Sequence, residues 1–148
     1  MTCFLDANVA IHALGNDGNA APPCQEILNL GEAHPGACRT SAEVFQEVLH
    51  VLGRQQLRSR LAVTLRLLDG ATGRNAASLL RSDVLRAATA DLPPNLQARD
   101  RVHLAVMARL GITSIISTDR AFDGIPGITR LDPLTLDSWR DTVFTATP

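Results

Sequence analysis

Asp6, Glu43, Asp100 and Asp119 stand where short apolar runs break. Asp6 ends Cys3-Phe4-Leu5, Glu43 opens the apolar run from Val44 to Leu52, Asp100 precedes Val102 to Leu110, and Asp119 follows Ile115-Ile116-Ser117-Thr118. In an α/β chain the carboxyl ends of strands and the first turns of helices meet at one edge of the sheet, so acids far apart in sequence can converge. Two carboxylates about 4 Å apart repel by about 4 kcal/mol at an effective dielectric near 20. A hard divalent cation with oxygen ligands is the natural counter-charge. Its chemistry would be hydrolysis of a phosphodiester by water that the cation acidifies. With no histidine in the quartet, magnesium or manganese is favoured over zinc.

Several residues lie close enough in sequence to assist. Asn8 follows Asp6 and either orients it or caps the first helix. Ser117 and Thr118 end a strand and can bond to a bound water or phosphate. Asp123, four residues after Asp119, either extends the acidic group or serves the loop before Gly124. His103 is three residues after Asp100 and so shares its helix face, as a general acid or as a packing residue. Arg54 and Arg58, four apart, are expected to share a face, either a solvated one, as is usual for charge on a helix, or a cleft rim touching phosphates, with Arg60, Arg66, Arg99, Arg101 and Arg120 as further cations.

The elements that must position these groups follow from periodicity. Thr2 to Leu5 and Ala37 to Arg39 read as short strands, as do Ile112 to Ser117 and Ile128 to Leu131, with Leu79-Leu80 as another. Val9 to Leu14 predicts a first helix, and Pro22-Pro23 start a second that ends at Gly31. Ser41 is the expected N-cap of a helix to about Leu52, whose Val44, Val48, Val51 and Leu52 follow a 3.6 period; Glu43, Glu47 and His50 fall on the other side. Further helices are expected from about Gln56 to Leu68, from a Ser82 cap through Ala90, and from Leu96 to Leu110, where Gly111 terminates the run. Strands alternating with helices argue for a parallel sheet covered on both faces, in one domain over residues 1–148.

Composition narrows the function classes. All 14 basic residues are Arg, so no Walker lysine, Schiff-base lysine or phospho-aspartate lysine exists. A net charge of −1 gives no global field for nucleic acid, so contacts to it must come from local arginines. No Tyr, one Trp and four Phe argue against a base-stacking platform. Three cysteines without paired spacing argue against a disulfide framework and a structural zinc site. No membrane-length apolar stretch or leader pattern is present, and a reduced cytoplasmic setting is expected.

Four segments then carry a family resemblance. Phe4-Leu5-Asp6-Ala7-Asn8-Val9, Ser41-Ala42-Glu43-Val44, Ala98-Arg99-Asp100-Arg101-Val102-His103-Leu104-Ala105 and Ser117-Thr118-Asp119-Arg120-Ala121-Phe122 resemble the motifs of PIN-domain ribonucleases, in particular the VapC-type toxins of bacterial toxin–antitoxin pairs. The resemblance implies a three-layer α/β/α sandwich with a mostly parallel central sheet. It implies one or two Mg²⁺ or Mn²⁺ ions, with Asp6, Asp100 and Asp119 as ligands and Glu43 binding directly or through water. It also implies RNA as substrate, a homodimer and a small antitoxin covering the acidic cleft. A phosphoesterase for DNA or small esters, and a catalytically silent module, are the alternatives.

Overall fold

The computed structural model describes residues 1–16, 18–54 and 58–145. Four strands, β1 (Cys3–Leu5), β2 (Cys38–Arg39), β3 (Ser114–Ile116) and β4 (Thr129–Leu131), form one sheet in the order β2-β1-β3-β4. Every pairing is parallel, with Phe4 opposite both Arg39 and Ile115, and Ile116 opposite Leu131. All residues of β1 and β3 are buried, as expected of central parallel strands covered on both faces.

The helices are α1 (Ala7–Ala13), α2 (Ala21–Ala33), α3 (Ala42–Arg54), α4 (Arg58–Ala71), α5 (Arg81–Thr89), α6 (Ala98–Leu110) and α7 (Arg140–Val143). Helices α1 to α4 pack on one another as one group, and α5 packs on α6 as a second, giving the α/β/α sandwich. Where α2 meets α4, a Cβ on Gly31 would lie 2.7 Å from the Ala71 carbonyl oxygen, so only glycine allows that approach. The core joins Phe4, Leu5, Ile27, Val44, Val48, Leu68, Met107, Ile115 and Ile116. Cys3 and Cys38 are register partners on β1 and β2, and with Cys24 on α2 they are buried free thiols. Burial raises their pKa values to about 11 for Cys3 and about 12 for Cys24 and Cys38. No helix among the described residues is long and apolar enough to cross a membrane.

Local chemistry explains where the elements depart from the periodicity reading. Helix α1 begins at Ala7 rather than Val9 because Asp6 caps it, accepting from the Ala7 N–H. Ser41 precedes α3 as expected, but its buried hydroxyl caps nothing; it forms a parallel bridge with Ala77 instead. That bridge, rather than Leu79-Leu80, extends the sheet edge. Leu80 is exposed and its N–H donates to the Asp83 carboxylate, which starts α5 in place of the expected Ser82 cap. Helix α6 starts at Ala98, two residues late, because the Asp100 carboxylate accepts from the Gln97 N–H. Gly111, at φ 68°, ends it as expected. The expected start of the fourth helix at Gln56 lies outside the described residues, and the helix continues to Ala71. Two 3-10 segments, Arg120–Phe122 and Pro133–Ser138, and α7 are elements that periodicity does not reveal.

Candidate active site

Asp6 leaves the buried end of β1 beside the end of β3 and is itself only 5% exposed. One carboxylate oxygen accepts from the Ala7 N–H at 2.7 Å; the other accepts from Asn8 Nδ2 at 2.7 Å and Ser117 Oγ at 2.6 Å. The Ser117 hydroxyl is fully used: it donates to Asp6 and accepts from Asn8 Nδ2 at 2.9 Å and from the Asp119 N–H at 2.9 Å. Asn8 closes the network by accepting from the Thr118 N–H at 3.2 Å. Asn8, at the second position of α1, therefore ties the ends of β1 and β3 together. All of Asp6's donors are neutral. Burial raises its pKa, and the nearby Glu47 adds to that, while His103 and the Ser117 and Ala7 hydrogen bonds pull it down.

Helices α3 and α6 bring the remaining acids. Glu47 Oε2 lies 3.3 Å from His103 Nε2, and its Oε1 lies 3.4 Å from Arg99 Nη1. Burial alone would raise the Glu47 pKa, but His103 and Arg99 together hold it below the ordinary carboxylate range. Asp6, Glu47 and His103 place donor atoms within 4.8 Å of one another. The His103 ring is fully buried and packs against Phe4 at 5.6 Å between ring centres, with Nδ1 unpaired. Asp100 has a raised pKa, from burial first and then from the negative charges of Asp119 and Glu47. Asp100 lines the same cleft as Glu47, and the Asp119 N–H bonds the Ser117 hydroxyl that holds Asp6. Asp119 is exposed and its Oδ1 accepts from the Ala121 N–H at 2.8 Å, which fixes the turn after β3.

The acid from α3 that joins Asp6 is thus Glu47, not Glu43. Glu43 sits one turn nearer the helix start, where Arg99 Nε approaches it at 3.6 Å. Glu43, Glu47, His50, Gln97, Arg99 and Asp100 line an open cleft of about 510 Å³. The sequence placed Glu47 on the polar face of α3, four residues after Glu43. That i, i+4 spacing was the only signal for it, and it cannot say which turn meets the sheet edge.

Other candidates separate. Asn8, Ser117 and Thr118 join the network, the last through its backbone. Asp123 does not extend the acidic group: Arg130 binds it through Nε at 2.7 Å and Nη2 at 3.2 Å. The same Arg130 donates to the Ser117 carbonyl at 3.0 Å, bracing the turn that carries Asp119. Arg54 ends α3 and Arg58 begins α4, so they do not share one helix face; both are exposed. Arg101 is committed to the Ala87 and Ala90 carbonyls at the end of α5.

The donor set suits a hard divalent cation. Asp6 is a buried carboxylate bonded only by neutral donors, and Glu47, Asp100 and Asp119 add oxygens from three other elements. The one nearby nitrogen, His103 Nε2, is engaged with Glu47 at 3.3 Å, so the donors left for an ion are oxygens, as magnesium and manganese favour.

A PIN domain family model matches residues 3–128. The chain is 30% identical over 130 residues to Ribonuclease VapC7 of Mycobacterium tuberculosis, covering 87% of this chain and 90% of that one. It is 32% identical over 133 residues to VapC ribonuclease Mb1869c of Mycobacterium bovis, covering 86% and 98%. Over 119 residues it is 32% identical to Ribonuclease VapC23 of Mycobacterium tuberculosis, covering 78% and 91%.

Proposed function

The chain belongs to the PIN-domain family, in its VapC-type branch, and from that premise we propose that it is a Mg²⁺-dependent endoribonuclease, the toxin of a toxin–antitoxin pair. The observation that carries this reading is the acidic group of Asp6, Glu47, Asp100 and Asp119, built around a buried carboxylate that no cationic side chain bonds. The relatives named as ribonucleases supply the substrate class.

Asp6, Glu47, Asp100 and Asp119 would hold Mg²⁺, or Mn²⁺ in its place. When bound, such an ion acidifies water and neutralises charge on the phosphodiester as it is attacked. The chain's own residues prepare for this. Ser117, Asn8 and the Ala7 N–H fix Asp6 by hydrogen bonds, and those from Ser117 and Ala7 oppose the rise that burial gives its pKa. His103 orients Glu47 by its hydrogen bond. Arg130 and Ser117 hold the turn that presents Asp119. The reaction joins a water oxygen to phosphorus as the bond from phosphorus to the 3′ oxygen breaks. One domain over residues 1–148, a homodimer, a small antitoxin as partner and a cytoplasmic setting complete the proposal.

The test is digestion of total bacterial RNA by the purified chain, with Mg²⁺ or excess EDTA, beside Asp6→Asn. Discrete fragments are expected only with metal and only from the unsubstituted chain, with the variant slowed on the order of 10³-fold or more. Fragments that persist in EDTA would remove the metal from the reading. Cleavage of DNA in preference to RNA would replace the substrate.

A further inference from the structure

Arg99 is the one cation that reaches both glutamates of α3 among the described residues. It bridges Glu47 through Nη1 at 3.4 Å and Glu43 through Nε at 3.6 Å, in the cleft that Asp100 also lines. Both separations exceed the 2.7–3.2 Å or so of a well-formed N–H···O bond, so the guanidinium is held loosely. It makes no other ion pair or hydrogen bond among the described residues, and 30% of its side chain is exposed. Arg101, two residues on, is fixed by two carbonyls. Glu43 and Glu47 are like charges one turn apart, a destabilising pair that Arg99 relieves.

Resting on the nuclease reading, we propose that Arg99 is a transferable cation. It lies across Glu43 and Glu47 while no divalent ion holds Glu47, and turns to an RNA phosphate when one does. Glu43 is then a positioning residue, a tether that keeps Nε near the cleft while the terminal nitrogens leave Glu47. The arrangement couples the two ligands. A cation on Glu47 releases a phosphate donor, so metal and RNA each strengthen the other's binding, and by linkage to the same extent. An arginine fixed in place would instead add its charge to RNA binding at all times.

The experiment measures anisotropy of a labelled 2′-O-methyl RNA of mixed sequence, kept intact as checked on gels, in EDTA and in Mg²⁺. It compares the unsubstituted chain with Arg99→Gln and Glu43→Gln, all matched for folding by circular dichroism. Arg99→Gln should weaken RNA binding about fivefold or more in Mg²⁺ and hardly at all in EDTA. It should also tighten Mn²⁺ binding, followed by electron paramagnetic resonance without RNA. Glu43→Gln should weaken RNA binding in Mg²⁺, although removing a negative charge would by itself strengthen it. An equal loss in both media, no loss, or tighter RNA binding by Glu43→Gln would overturn the transfer. If the unsubstituted chain binds Mn²⁺ and cuts RNA, such a result sinks this inference alone. If it binds no Mn²⁺, the nuclease reading and this inference fall together.

Discussion

Ser117 spends all its hydrogen-bonding capacity on the site, and its donation to Asp6 opposes the rise that burial gives that carboxyl's pKa. Replacing it with alanine removes an influence that lowers the Asp6 pKa, so that pKa should rise further. Asp6 must be deprotonated to hold a cation, so the acid limb of the pH–activity profile should move to higher pH in Ser117→Ala. A profile that keeps its acid limb would show that Asp6 does not govern it. The choice between α3 acids makes a sharper distinction. Glu47→Gln should weaken Mn²⁺ binding tenfold or more, roughly 1.4 kcal/mol, while Glu43→Gln changes it by less than about threefold. Titration followed by electron paramagnetic resonance measures both. At this scale Asp6, Asp100 and Asp119 stood out in the sequence as candidates for one site, because strand ends and helix starts mark their own positions. It did not separate Glu43 from Glu47. Both satisfy the same periodicity, and the choice depends on how α3 is rotated and seated against the sheet, a tertiary fact.

Helix α5 illustrates how an element is held where the site needs it, although it carries no site residue. Its Asp83 side chain is 3% exposed, accepts from the Leu80 N–H, and binds Arg109 of α6 through two bonds of 2.9 Å. Arg109 also donates to the Ser78 carbonyl at 2.8 Å. The pair thus secures the start of α5 to the end of α6, the helix that presents Asp100 and His103. Arg109 lowers the Asp83 pKa below the usual carboxylate range, aided by the Leu80 N–H. The resulting stabilisation is present above the unfolded carboxyl's pKa of about 3.9 and is lost as pH falls through the lower folded value. Asp83→Asn should lower the melting temperature at neutral pH by roughly 5 °C. The gap from the unsubstituted chain should close as unfolding is followed into acid below about pH 4. A constant gap at every pH would assign the loss to packing rather than charge. Serine is a frequent cap, and Ser82 looked the part; an aspartate at the third helical position, answering a distant arginine, does the work instead. Such a long-range partner leaves no mark in the local sequence.

The whole molecule was legible where a single rule fixed the outcome. Strands alternating with helices led to the parallel sheet, and the four segments resembling PIN-domain motifs led to the sandwich, because burial on both faces leaves a parallel strand little choice of residues. Segments stabilised by contacts rather than periodicity stayed hidden. The Ser41–Ala77 bridge extends the sheet edge by a single pair, and the chain end folds over α2 through Pro133–Ser138 and α7, where Trp139 Nε1 donates to the Asp132 carbonyl at 2.9 Å. The three thiols make the cooperativity of this assembly measurable. Only a thiolate attacks a disulfide reagent, and burial leaves Cys3, Cys24 and Cys38 protonated and covered at neutral pH. The native fold should therefore consume no Ellman's reagent on mixing, and the unfolded chain all three equivalents. Any slow reaction in between counts excursions out of the native basin. If the three sites react at one common rate, the central strand, the edge strand and α2 open as a single foldon; a faster Cys24 would show that α2 departs first. The chain carries its own stopwatch for opening, set by nothing more than where three sulfur atoms are buried.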